Sequence, residues 1–118
     1  MLFYDFEVFK YDWLVVIKDT ETRTTTNIIN DSEALRDFYK KHKEDIWIGF
    51  NSRSYDQYIL KGILLGLDSK EINDHIIVKH KGGWEYSSLF NYLCLNFSGI
   101  ISKTSFHSDF NIILALTR

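Results

Sequence analysis

The 118-residue sequence predicts an α/β fold with a mixed sheet. Three segments rich in β-branched and aromatic residues come first, at residues 2–9, 13–18 and 23–29, and short turns separate them. The apolar spacing then becomes helical through about residue 43 and returns to a short apolar strand at 46–50. This order predicts a three-strand antiparallel meander, a helix, and a fourth strand parallel to the first.

The first segment predicts a strand because its side chains alternate between two faces. One face carries Leu2, Tyr4, Phe6 and Val8, and the other carries Phe3, Asp5, Glu7 and Phe9. The second segment has almost no polar alternation, which is typical of a central strand. The third is rich in threonine, a residue that favours strands.

Helix signals follow the meander. Asn30 or Asp31 is expected to cap the first helix. After the strand at 46–50, a loop is predicted over residues 51–54 and a helix over 55–65, with Gly66 as its stop.

Two further segments complete this part of the chain. Asp68 and Glu71 fit a capping box for a helix at about 69–79. Residues 84–97 are predicted to form a strand region with a turn. The whole order is that of a ribonuclease-H-like sheet, shortened at its C-terminal end.

Composition excludes several classes of protein. The net charge of -2 argues against a broad basic surface for nucleic acid, although a small local site is compatible with it. No apolar run is long enough for a membrane span. The single cysteine excludes an internal disulfide, and we expect a cytoplasmic protein without a secretory signal. Aromatic residues make up 16% of the chain, and Trp13, Trp47 and Trp84 are expected to be core or partly buried.

Asp5 and Glu7 are the first candidate functional residues. They lie two apart on a predicted strand, so their carboxylates share one face. Such a pair is commonly a solvent-facing feature of an edge strand. Alternatively, it binds a hard divalent cation, which offsets the repulsion between the two charges.

The second candidate group follows the fourth strand. Gly49, Phe50 and Asn51 end that strand, and Tyr55 and Asp56 come after a three-residue spacer. Asp56 alone is explained by a helix N-terminus, where the dipole favours an acid. Helix capping does not explain the combination with an Asp-x-Glu pair on the first strand.

Together these two motifs resemble the 3′–5′ exonuclease domain of family B DNA polymerases, especially those of bacteriophages. Residues 3–7, Phe-Tyr-Asp-Phe-Glu, are similar to the first motif of that family. The second motif, Asn, three residues, aromatic, Asp, is matched by Asn51, Tyr55 and Asp56. The similarity covers roughly residues 1–97, and we expect these to form an exonuclease-like domain in a bacterial host.

The resemblance implies a site for two Mg²⁺ or Mn²⁺ ions that hydrolyses phosphodiesters. Asp5, Glu7 and Asp56 are then metal ligands and catalytic residues. Asn51 contacts the terminal nucleotide or steadies the loop, and Tyr55 packs beside Asp56. Phe6 or a neighbouring aromatic stacks on the 3′ base of single-stranded DNA.

The family's third motif, Tyr or His followed by Asp at fixed spacing, does not occur after residue 57. His107 and Asp109 have the wrong spacing. Residues 98–118 are predicted to be a divergent tail that packs on the domain or dimerises through its apolar end. The sequence thus predicts a truncated exonuclease domain whose activity is weak or lost.

Two alternatives remain open. One is a phage-derived binding protein that inhibits a host nuclease or defence complex with its acidic surface. The other is a homodimer that completes its sheet between chains.

Overall fold

The computed structural model describes residues 1–96 and 106–107, which form an α/β fold around a five-stranded mixed sheet of order β3-β2-β1-β4-β5. The strands are β1 (Leu2–Val8), β2 (Trp13–Asp19), β3 (Thr25–Ile29), β4 (Trp47–Gly49) and β5 (Phe106–His107). The first three form an antiparallel meander. β4 lies parallel to β1 on its other side, and β5 lies parallel to β4. The predicted mixed sheet is confirmed.

Four α-helices accompany the sheet in the described ranges. They are α1 (Ser32–His42), α2 (Gln57–Leu64), α3 (Ser69–Asn73) and α4 (Ser87–Asn96). A π-helical turn, Ser52–Asp56, leads into α2, and a second one, Asp74–Val78, continues α3. A 3₁₀ turn, Gly83–Tyr86, leads into α4.

Local capping signals set three of the helix ends. Asp31, rather than Asn30, caps α1 by accepting a hydrogen bond from the Ala34 N–H at 2.9 Å. Asp68 caps α3 by accepting from the Lys70 N–H at 2.9 Å. α2 ends next to Gly66, which has a φ of 82°, a conformation that glycine adopts without steric cost.

Two predictions of local structure were wrong. Residues 51–54 are not all loop, because the π-helical turn already begins at Ser52. Residues 84–96 are helical rather than a strand region. Helical spacing brings the Tyr86 and Phe90 rings together at 5.7 Å, and Phe90 enters the core.

The core lies between one face of the sheet and the helices. β1 contributes its predicted inner face, β2 and β3 contribute aliphatic side chains, and α1 and α2 cover them. The buried set includes Leu2, Tyr4, Phe6, Val15, Ile17, Leu35, Tyr39, Trp47, Ile59, Leu60 and Ile63. Burial of these large side chains supplies the main driving force for folding.

The three tryptophans differ in burial. Trp47 is fully buried and Trp13 is partly buried, as expected. Trp84 is 67% exposed, so the expectation of burial was wrong for this residue. Its exposure follows from its place in the 3₁₀ turn, where the neighbouring Gly83 is buried instead.

The predicted tail, residues 98–118, lies outside the described residues except for the backbone of β5. Within residues 1–96 and 106–107, none of the helices has the length and apolar character that crossing a membrane requires.

Candidate carboxylate site

Asp5 and Glu7 lie on the face of β1 that is turned away from the core. Both side chains are exposed, and in the antiparallel register Asp5 pairs with Val16 and Glu7 with Leu14. The alternation of β1 places them there, because Tyr4 and Phe6 occupy the buried face. The two carboxylates therefore project from the same side of the sheet, as their spacing predicts.

A hollow of about 260 Å³ adjoins Asp5 on this face. Its walls are largely apolar and come from three neighbouring strands and the residue after β4. They include Phe3, Asp5, Val16, Lys18, Ile48 and Phe50. Phe50 is 53% exposed, so the hollow offers an accessible aromatic ring beside a carboxylate.

Gly49 allows the turn after β4 to fold tightly over the end of the strand. A Cβ atom on Gly49 would lie 2.7 Å from the Cβ of Ser52 and 3.0 Å from that of Asp56, closer than atoms normally pack. Ser52 is buried, and its hydroxyl lies 3.0 Å from the Tyr4 hydroxyl on β1. The π-helical turn is thus packed against both parallel strands.

This packing brings Asp56 to β1. Only 1% of Asp56 is exposed, and its carboxylate accepts two backbone hydrogen bonds. The Phe6 N–H donates to Oδ1 at 3.1 Å, and the Asn51 N–H donates to Oδ2 at 2.7 Å. The side chain therefore joins the middle of β1 to the start of the turn.

The pKa values of the acids show that they interact. Burial raises the pKa of Asp56 to about 6, the two N–H donors oppose this rise, and the charge of Asp5 adds to it. Partial burial raises the pKa of Asp5, and the charge of Glu7 raises it further. Asp5 is therefore close enough to both other carboxylates for each pair to repel.

Tyr55 is fixed beside this group by a hydrogen bond to a neighbouring helix. Its hydroxyl donates to Asn73 Oδ1, at the end of α3, at 2.6 Å. Burial raises its pKa to about 12, and the charges of Asp56 and Asp5 contribute. The phenol thus remains a neutral hydrogen-bond donor at neutral pH.

Asn51 and Phe6 contribute their backbone to this arrangement. Asn51 is exposed, and its carbonyl oxygen accepts from the N–H groups of Tyr55 and Asp56 at 2.9 and 3.1 Å. The Phe6 ring is buried in the core, so its surface is not available for stacking on a base. Phe50, to which the sequence motifs assign no role of its own, is the exposed aromatic next to Asp5.

The three carboxylates suit a hard divalent cation in their chemistry but only in part in their geometry. Asp5 and Glu7 are exposed on one face, and partial burial together with the charge of Glu7 raises the pKa of Asp5. Asp56 directs both of its oxygens to backbone donors. Among the described residues, no three His, Cys, Asp or Glu side chains are grouped so as to hold a metal ion.

Comparisons of the chain with protein-family models, with curated proteins and with solved structures gave no significant match.

Proposed function

We propose that this chain is an exonuclease-like domain with a ribonuclease-H-like fold, similar to the 3′–5′ exonuclease domain of phage family B DNA polymerases. The observation that carries the proposal is the adjacency of β1 and β4 as parallel strands. Because of it, the Asp5–Glu7 pair and the turn that holds Asp56 meet at neighbouring strands. The strand order β3-β2-β1-β4 also supports the fold assignment.

The carboxylates divide into two kinds by their surroundings. Asp5 and Glu7 are the residues that would hold a Mg²⁺ or Mn²⁺ ion, since their oxygens are exposed on one face. Such a cation supplies charge stabilisation and an activated water for phosphodiester hydrolysis. Asp56 orders the backbone next to Asp5 and adds negative charge to the site.

Substrate contacts in this proposal come from the rim of the hollow. The exposed ring of Phe50 lies beside Asp5 and presents a surface on which an unpaired terminal base can stack. Lys18, also on the wall of the hollow, supplies a positive charge for a phosphate. The substrate that the family resemblance implies, the 3′ end of single-stranded DNA, is compatible with these contacts.

Hydrolysis in this proposal is weak or lost. Asp56 is buried and both of its oxygens accept backbone N–H bonds, so the exposed carboxylates of the candidate site are those of Asp5 and Glu7. Loss of a ligand lowers metal affinity and leaves the attacking water poorly positioned.

The test is cleavage of a 5′-labelled single-stranded oligonucleotide in the presence of Mn²⁺. Cleavage, if detected, is expected to be slow, to shorten the strand from its 3′ end, and to disappear in Asp5→Asn and Glu7→Gln. Glu44→Gln, which removes an exposed acid outside the site, is the matched control and should cleave like the wild type. Rapid cleavage, or cleavage that survives in Asp5→Asn, would contradict the proposal.

A further inference from the structure

A second hollow, of about 420 Å³, adjoins the same π-helical turn. Its lining comes from that turn, from the start of α2 and from the segment that precedes α4. The residues that matter here are Arg53, Tyr58, Lys81, Gly82, Gly83 and Trp84. The hollow thus combines two aromatic rings with two basic side chains.

Two adjacent glycines allow the aromatic rings to line this hollow. A Cβ on Gly82 would overlap the indole nitrogen of Trp84, and a Cβ on Gly83 would overlap the ring of Tyr58. The Trp84 indole therefore rests on the Gly82 backbone even though two thirds of it is exposed. Tyr58 is in turn stacked on Phe90 of α4, with ring centroids 6.4 Å apart.

The segment that carries Trp84 is anchored by His75. Its ring Nε2 lies 3.2 Å from the carbonyl oxygen of Gly82 and 3.0 Å from the carboxylate of Glu85. Glu85 is the acid next to Trp84 in sequence, and its carboxylate lies against the His75 ring. Arg53 and Lys81 are exposed, so two basic side chains on the wall of the hollow are accessible to an anionic ligand, although the whole chain has a net charge of -2.

We infer that this hollow is a subsite for single-stranded nucleic acid, with one base stacked on Trp84 and adjacent phosphates bound by Arg53 and Lys81. An exposed aromatic held in place beside basic side chains is the usual arrangement for binding unpaired strands without sequence preference. The subsite rests on the proposed function for its ligand class. It extends that function to a second strand position, in the hollow that Arg53 and Trp84 line.

The position of the subsite supports this role. Arg53 belongs to the turn whose last residue, Asp56, contacts β1, so the element that lines the second hollow is also bonded to the strand that carries Asp5. In this inference, a strand whose end reaches Asp5 passes this turn before it reaches Trp84. Double-stranded ends are not expected to bind, because stacking on Trp84 requires an unpaired base.

The experiment measures binding of a fluorescein-labelled oligothymidylate to the full chain by anisotropy, in EDTA so that neither metal nor cleavage contributes. Trp84→Ala is expected to weaken binding about tenfold, and Trp84→Phe to retain most of the affinity. In Arg53→Ala and Lys81→Ala, the plot of log affinity against log salt concentration should become less steep, by about 0.7 for each phosphate that the variant no longer binds. Gly82→Ala keeps Trp84 but moves its indole ring, because the new methyl group occupies the space of the ring, and it should weaken binding as well.

Tyr11→Ala and Lys10→Ala are the matched controls. Tyr11 is 83% exposed, with the Lys10 ammonium 5.2 Å from its ring centre, in the turn between β1 and β2. These two residues form an aromatic–basic pair outside the hollow, so their removal should leave binding unchanged. No binding by the wild type, an equal weakening of binding in the controls, or equal affinity for duplex DNA would overturn the inference.

The outcome separates this inference from the proposed function. Binding that depends on Trp84, together with rapid cleavage or with cleavage that survives in Asp5→Asn, supports the subsite and contradicts the proposed function. Cleavage that depends on Asp5, together with binding that is unchanged in Trp84→Ala and Arg53→Ala, supports the proposed function and contradicts the subsite.

Discussion

The carboxylate of Asp56 accepts a hydrogen bond from the backbone N–H of Phe6, fifty residues earlier in the chain, at 3.1 Å. The interaction is buried and crosses from the turn after β4 to the middle of β1. It ties the segment that carries one candidate site residue to the strand that carries Asp5 and Glu7. Asp56 is accordingly a structural residue as well as a candidate functional one.

The first prediction concerns the stability that this carboxylate confers. Asp56→Ala should lower the free energy of unfolding by about 3 kcal/mol, because it removes the buried acceptor of the Phe6 and Asn51 N–H groups. Asp56→Asn should cost less than Asp56→Ala, since the amide oxygen still accepts one of the two bonds and the neutral side chain avoids the cost of a buried charge. Urea unfolding at neutral pH measures both values. Asp5→Ala changes an exposed residue of the same site and should shift the free energy of unfolding by less than about 0.5 kcal/mol. If Asp5→Ala destabilises the protein as much as Asp56→Ala does, the buried hydrogen bonds of Asp56 are not the cause.

The second prediction concerns pH. The pKa of Asp56 is about 6 in the folded protein against an ordinary value of 3.8, so the folded state binds its proton more tightly than the unfolded state does. The stability that this proton confers is fully present below about pH 4 and is lost as the pH rises through 6. The expected decrease is on the order of 3 kcal/mol, at about 1.4 kcal/mol for each pKa unit.

Urea unfolding of the wild type and of Asp56→Asn at intervals from pH 4 to 7 isolates this contribution. The difference in stability between the two proteins should change across this range, with the wild type losing more as the pH rises. A difference that is independent of pH would show that Asp56 has an ordinary pKa.

The sequence allowed much of the sheet to be predicted, because its signals are local. The alternation of Leu2, Tyr4 and Phe6 sets the faces of β1. Asp31 marks a helix end through its side-chain hydrogen bond, and Gly66 marks one through its positive φ. The helix at 87–96 was missed because its apolar residues are nearly continuous and lack a clear period. Contact of Phe90 with the core decides the outcome there.

The site was predictable only in part for a related reason. The spacing of Asp5 and Glu7 fixes their common face. The hydrogen bonds of Asp56, by contrast, depend on how β4 and its turn pack on β1. The exposure of Trp84 likewise depends on a long-range contact, since Gly83 is buried against Tyr58. Such contacts leave no periodic signal in the sequence.

The third prediction compares two glycines. Gly49→Ala should destabilise the protein by about 2 kcal/mol or more, because the new methyl group would meet the backbone of Ser52 at 3.1 Å and the turn must move. Gly66→Ala has open space, with the nearest atom 4.0 Å away, and should cost about 1 kcal/mol through its positive φ. Thermal unfolding of both variants shows whether Gly49→Ala is the more destabilising change. A larger destabilisation by Gly66→Ala would mean that the turn after β4 is loosely packed.

The fourth prediction concerns the hydrogen bond from Tyr55 to Asn73. Tyr55→Phe and Asn73→Ala should each lower the free energy of unfolding by about 1 kcal/mol, because each removes one partner of a half-buried bond. If the two side chains act through this bond, the double variant should be destabilised by less than the sum. A coupling energy of at least about 0.5 kcal/mol in a double-mutant cycle is expected, and additive effects would show that the bond does not form in solution.

The fifth prediction tests the exposed acid pair with a divalent cation. Because Asp5 and Glu7 repel and only the folded chain holds them together, Mn²⁺ should stabilise the fold. At a concentration ten times the Kd the increase in stability is about 1.4 kcal/mol, a rise in Tm of roughly 5 °C for a domain of this size. Asp5→Asn should abolish the rise, whereas Glu44→Gln, which removes the same charge elsewhere, should retain it. An equal rise in all three proteins would instead reflect general ionic screening, and Asp5 and Glu7 would then have no particular affinity for the cation.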